Sequence, residues 1–119
     1  MRKYIALLLL PWLGGCDEPV PSAQPMTPEL SAQLSPADPR LAELYAGSCK
    51  ACHTVKDSLA PLTGDRSAWD ARWAQGEAAL LSASIQGKNG MPAGGQCFTC
   101  TPEDLKKLIR FMAGREDEQ

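Results

Sequence analysis

The residues best placed for chemistry lie in one short run, Cys49-Lys50-Ala51-Cys52-His53. C-x-x-C-H is the spacing at which two thiols add to the two vinyl groups of one porphyrin. The histidine that follows is then held under the iron and can ligate it. A C-x-x-C pair also binds zinc or cycles between dithiol and disulfide, so the rest of the chain has to choose. Of the five cysteines, Cys97 and Cys100 form a second C-x-x-C pair, and Cys16 is left over. Thr101 stands where a second haem site would need a histidine.

His53 is the only histidine, so an iron on it cannot take a second imidazole. Among the methionines beyond the start, Met26 lies in a proline-rich stretch and Met112 on the apolar face of the last helix, where it reads as core. Met91 stands in Gly87-Lys88-Asn89-Gly90-Met91-Pro92-Ala93-Gly94-Gly95. Glycines let a backbone pass close to a flat ligand, and proline stiffens the delivery of the side chain. Met91 is the candidate sixth ligand; the competing reading is a methionine that caps the core from a loop.

The elements that position these residues begin after an export signal. Arg2 and Lys3 precede an apolar stretch, Tyr4 to Leu13, too short for a typical membrane-spanning helix. Leu13-Gly14-Gly15-Cys16 resembles the bacterial lipobox, so residues 1–15 read as a lipoprotein signal peptide and Cys16 as the lipidated N-terminus. An ordinary signal peptide with a chance cysteine, or an uncleaved anchor, are the alternatives. Loss of Arg2 and Lys3 takes the formal charge from −2 to −4, and no basic stripe suggests nucleic acid. Residues 16–37 read as a disordered tether: frequent prolines favour extended chain, with a reach of about 60 Å, and one loose helical turn at Leu30 and Leu34 is the alternative.

Residues 38–115 read as one small domain and residues 116–119 as an acidic tail. Asp38-Pro39 signals a helix start, and Leu41, Leu44 and Tyr45 give that helix a face continuing to Ser48 and Cys49. Further helices are predicted at 67–75, at 77–86 with Ala78, Leu81 and Ile85 inward, and from a Thr101 cap to Gly114. The last carries Leu105, Leu108, Ile109 and Met112 inward and acids in its first turn, where they suit the helix dipole. The fold class is all-α, about four helices. Few large apolar residues remain for the core, and a covalently held porphyrin would supply the missing volume.

Leu44-Tyr45, Cys49-x-x-Cys52-His53, Ala60-Pro61-x-x-Gly64-Asp65, Trp69-x-x-Arg72, Gly90-Met91-Pro92-x-Gly94-Gly95 and Cys97-x-x-Cys100 follow one another in order ahead of a closing amphipathic helix. Over residues 38–114 this resembles a class I cytochrome c of the c5 type. The resemblance implies a small helical fold around one haem c, with His53 and Met91 as axial ligands. It implies that the Pro61 carbonyl accepts the His53 Nδ1–H bond, fixing the tautomer, and that Trp69 and Arg72 hold a haem propionate. The family often has glycine before the Ala-Pro pair; here it is Leu59, which puts the local loop geometry in question.

Cys97 and Cys100 read first as a structural disulfide, since an exported compartment is oxidising, with a redox-active dithiol as the alternative. The function expected is single-electron transfer, not enzymatic turnover, between redox-protein partners, membrane respiratory complexes among them. A haem-bearing subunit of a larger oxidoreductase is the runner-up. A small haem enzyme would lack a distal histidine, and a zinc module would have to span two widely separated cysteine pairs. Asp17 after Cys16 resembles the sorting pattern that keeps lipoproteins on the periplasmic side of the inner membrane in Gram-negative bacteria. Lys50, Lys56 and Lys88 flank the haem-binding loops as a candidate positive rim, with scattered solvated lysines as the plainer reading.

Overall fold

The computed structural model describes residues 24–118; the signal segment, the lipobox, Cys16 and Asp17 lie outside them. Six α-helices follow in order: α1 (Pro28–Gln33), α2 (Pro39–Ala46), α3 (Lys50–His53), α4 (Arg66–Trp73), α5 (Glu77–Gln86) and α6 (Pro102–Met112). The all-α expectation holds, and the only β feature among the described residues is an isolated bridge, Lys88 to Met91. The expected four helices become six. The two extra ones are short, α1 where Leu30 and Leu34 offered one loose turn and α3 over the C-x-x-C-H run, too short to leave a strong periodic signal.

The closing helix organises the core. Thr101 caps α6 by accepting from the Asp104 amide, and the Asp104 side chain returns the bond to the Thr101 amide. This reciprocal box satisfies two amides that a helix start would leave unpaired. Leu105, Leu108, Ile109 and Met112 are buried as expected, and Phe111 joins them. Each such side chain contributes about 1.5–3 kcal/mol when fully buried. Tyr45 of α2 meets Phe111 edge-to-face, with ring centroids 5.0 Å apart. Asp38 caps α2 through the Leu41 amide at 2.9 Å, and Arg40 grips Asp104 with two bonds of 2.5 and 3.0 Å. That pair ties the starts of α2 and α6 together and holds the Asp104 carboxyl well below its usual range.

Two expectations are corrected. In α5, Ala78 and Ile85 are exposed; Leu80 and Leu81 pack toward the core and Ser84 is buried. The sequence Glu-Ala-Ala-Leu-Leu-Ser-Ala-Ser-Ile is apolar nearly all round, so periodicity did not define a face. Bonding of Glu77 to Arg110 of α6 is part of what sets it.

Disorder over residues 16–37 does not hold for the described part. Thr27 caps α1, Ser31 is fully buried, Pro36 is buried and Leu34 packs against the core. The folded unit therefore starts before Asp38. In the acidic tail, Glu118 bonds Arg115 at 2.6 Å, and its carbonyl accepts from Arg110 at 2.6 Å.

Candidate functional site

Helix α3 places Cys49 at its N-cap and carries Cys52 and His53 within one turn. Cys49 is buried and Cys52 exposed, and both are free thiols; burial pushes the Cys49 thiol up. Cys97 and Cys100 instead form a disulfide, with Cα atoms 5.3 Å apart. One pair is thus available for covalent attachment and the other is closed. A zinc site using all four sulfurs loses two ligands to that bond.

His53 is buried, at 7% exposure. Its Nδ1 lies 2.8 Å from the Pro61 carbonyl, which can only accept, so Nδ1 carries the proton. Among the described residues nothing bonds Nε2. Burial lowers the His53 pKa against the opposing pull of Pro61, and the Arg72 charge lowers it further. A neutral imidazole with a fixed Nδ1–H and a free Nε2 is the form a metal takes.

The loop after His53 is held from several sides. Thr63 donates its amide to the His53 carbonyl at 2.7 Å, and Tyr45 Oη bonds Thr63 Oγ1 at 2.9 Å. The Trp69 indole N–H donates to the Leu62 carbonyl at 2.9 Å, and its ring stacks on His53 with centroids 5.7 Å apart. That indole N–H is thus engaged by backbone. Arg72 donates to the Ala68 carbonyl at 2.7 Å, one turn back. Leu59 takes a left-handed conformation, φ 59°, which explains why glycine suits this position.

Met91 lies in a tight turn closed by two backbone bonds to Lys88, of 3.0 and 2.9 Å. Gly87 has φ 83°, and a Cβ there would sit 2.9 Å from the Met91 carbonyl. A Cβ on Gly95 would come within 3.1 Å of the Met91 methyl. The glycines therefore make the room that the methionine and its backbone occupy.

A cleft of about 220 Å³ runs between Glu43, Leu44 and Ser48 ahead of Cys49 and Gln96, Cys97 and Phe98 beyond Met91. Phe98 is 94% exposed and adds nothing to the core. The structure brings Cys49, Cys52, His53, Pro61 and Trp69 together. Met91 lies in the loop ahead of the disulfide-bearing segment, and that segment lines the cleft opposite Ser48, the neighbour of Cys49. Thr63 and Ser31, both buried around the His53 carbonyl, carried no motif that sequence could have flagged.

The donor set fits one haem c: two adjacent free thiols, a neutral histidine with an open nitrogen, and a glycine-cradled thioether. Residues 36–112 match the family described as cytochrome C oxidase, cbb3-type, subunit III. Cytochrome c5 of Azotobacter vinelandii is 38% identical over 74 residues, 60% of this chain and 89% of that protein. Cytochrome c5 of Ectopseudomonas mendocina is 35% identical over 74 residues, 60% of this chain and 85% of its own length. Cytochrome c-555 of Chlorobaculum tepidum is 37% identical over 75 residues, 60% of this chain and 69% of that protein. A solved structure described as an electron transfer complex of nitrite reductase with cytochrome c matches with a TM-score of 0.58 and 33% identity, over 66% of this chain and 96% of that one. Motif, geometry and likeness agree: the chain belongs to this c-type cytochrome family, a class I cytochrome resembling c5 that carries covalent haem c and transfers electrons.

Proposed function

We propose that this cytochrome is a periplasmic electron carrier, anchored to the inner membrane by a lipid on Cys16, with its iron held between His53 and Met91. The observation that carries the ligand assignment is the buried His53, Nδ1–H fixed on Pro61 and Nε2 free, directly behind two free thiols. Bound haem supplies a one-electron iron couple, and a thioether ligand raises its potential relative to two imidazoles. Pro61 holds the imidazole tautomer, and Trp69 holds the loop and stacks on the ring. With the indole N–H on Leu62, the propionate role falls to Arg72 alone. With His53 and Met91 both holding it, bound haem would exchange electrons without binding substrate.

Lys56 and Lys88 are exposed and Lys50 half-buried. They form the positive rim of the proposal, steering an acidic redox partner; rates that ignore ionic strength would remove it. The complex of nitrite reductase with cytochrome c supports a redox protein as that partner. The anchor rests on the lipobox pattern, and Asp17 on its sorting resemblance. An absorption spectrum, taken with membrane fractionation that follows the haem, tests the proposal. The expected results are a thioether-ligated ferric band and haem in the inner membrane; a spectrum without that band, or wild-type haem protein in the soluble fraction, contradicts it. The family description favours a second reading, a subunit of a larger oxidoreductase. Co-migration with an oxidase in a native gel would decide for it.

A further inference from the structure

Residues 24–35 precede the stretch that matches the cytochrome family, which begins at 36. They are nevertheless docked on the loop that carries the His53 bonds. Ser31, fully buried, donates its hydroxyl to the His53 carbonyl at 3.1 Å. The same carbonyl accepts the Thr63 amide at 2.7 Å. Next along that loop, Gly64 bonds the Met112 carbonyl at 2.7 Å. A Cβ on Gly64 would lie 2.7 Å from both Leu34 Cδ1 and the Met26 methyl. Those two side chains therefore press directly on the backbone at Gly64, the end of the run that also supplies the Pro61 acceptor for the His53 ring.

We propose that helix α1 is a clamp on the histidine side of the haem, with Ser31 as a positioning residue that sets the electron affinity of the iron. It does so by fixing the His53 backbone and by keeping water off the loop that orients its ring. The solvent access and hydrogen bonding of groups behind a metal ligand tune the potential of the metal. Ferric iron carries one more positive charge than ferrous, so water admitted behind His53 favours the ferric state. Undocking α1 therefore lowers the potential. The segment leads back toward Cys16, so the stretch that would anchor the protein also shapes its redox site. The clamp rests on His53 being an axial ligand.

The test uses full-length, haem-loaded protein in three forms: wild type, Ser31→Ala, and a deletion of residues 24–35. Oxidised and reduced haem are measured at a fixed applied potential. In the deletion the ratio should move at least threefold toward oxidised, about 28 mV at 59 mV per tenfold for one electron. Ser31→Ala should move it the same way by less. A wild-type ratio in the deletion overturns the clamp. If the deletion fails to mature, Ser31→Ala decides: a shift toward oxidised supports the clamp and no shift overturns it. The wild-type spectrum keeps the two readings apart. A wild-type protein without a histidine- and thioether-ligated spectrum defeats the ligand assignment, whereas a normal spectrum with unmoved variants defeats only the clamp.

Discussion

In the proposed site the His53 wall and the Met91 loop share one chemical task, and they are built from different materials. Around His53, side chains from α1, α2 and α4 converge on one loop: Ser31, Tyr45 and Trp69 each make a bond of 2.9–3.1 Å to it or to the His53 carbonyl. Around Met91 the restraint is backbone. A two-bond turn, three successive residues with positive φ at Gly94, Gly95 and Gln96, and the Cys97–Cys100 disulfide hold it in place. A wall held by distant side chains can fail only when several segments separate. A loop whose residues 91–96 are all at least partly exposed, held by its own turn, one covalent staple and packing against α5, can open more locally. The difference predicts a cytochrome whose histidine stays fixed while its methionine is the ligand that lets go first.

The largest effects should come from the cysteines. Cys49→Ser or Cys52→Ser should abolish or cripple covalent haem, whereas Cys97→Ser should keep it and cost roughly 2 kcal/mol, the chain-entropy value for so short a loop. Haem staining of denatured protein and a urea titration check the two halves. Loss of haem from Cys97→Ser would break the assignment of the two pairs.

On the His53 wall, Tyr45→Phe removes the hydroxyl that pairs with buried Thr63 and should cost about 1–2 kcal/mol. Denaturation should show the loss with the methionine-ligand band retained at room temperature. Its disappearance would mean that the two sides are not independent.

The far end of the Met91 loop is pinned by the Thr101–Asp104 box and the Arg40 pair. The Asp104 carboxyl is depressed by Arg40 first and by the Thr101 bonds next, from 3.8 in the unfolded chain. Its stabilisation is therefore complete above that value and is lost as pH falls through the depressed folded value. Asp104→Asn should be less stable than wild type at neutral pH, and the gap should begin to narrow below about pH 4 and close only as the depressed carboxyl is protonated. A gap that persists in acid would show that the charge is not what matters.

Much of this was legible in the chain. The C-x-x-C-H spacing, the Asp38 and Thr101 caps and the α6 stripe each rest on local patterns that survive folding unchanged. Residues 28–33 were not legible as a docked helix, because six residues give no periodicity and the partners of Ser31 and Leu34 lie 20 or more positions away. The face of α5 escaped because that helix is apolar nearly all round, leaving the choice to Arg110 and other tertiary contacts. Trp69 was found by its place in the family pattern, but only the fold shows its N–H on Leu62. Leu59 stands where the family often has glycine, and its φ of 59° shows why glycine suits that position.

That position gives the smallest expected effect. A left-handed leucine costs about 1–2 kcal/mol in conformation, offset in part by the entropy glycine loses on folding. Leu59→Gly, at an 89% exposed site, should therefore stabilise the protein by up to about 1 kcal/mol and leave the spectrum unchanged. A loss of stability would mean that the exposed leucine has a structural partner.

The central claim, an iron fixed on His53 and held more loosely by Met91, is tested most directly by carbon monoxide binding to the reduced protein. Wild type should resist the gas near neutral pH and room temperature. Met91→Ala should keep covalent haem, lose the thioether band of the ferric form and bind carbon monoxide readily. Equal binding by wild type and Met91→Ala would contradict the account, because Met91 would then not be the ligand.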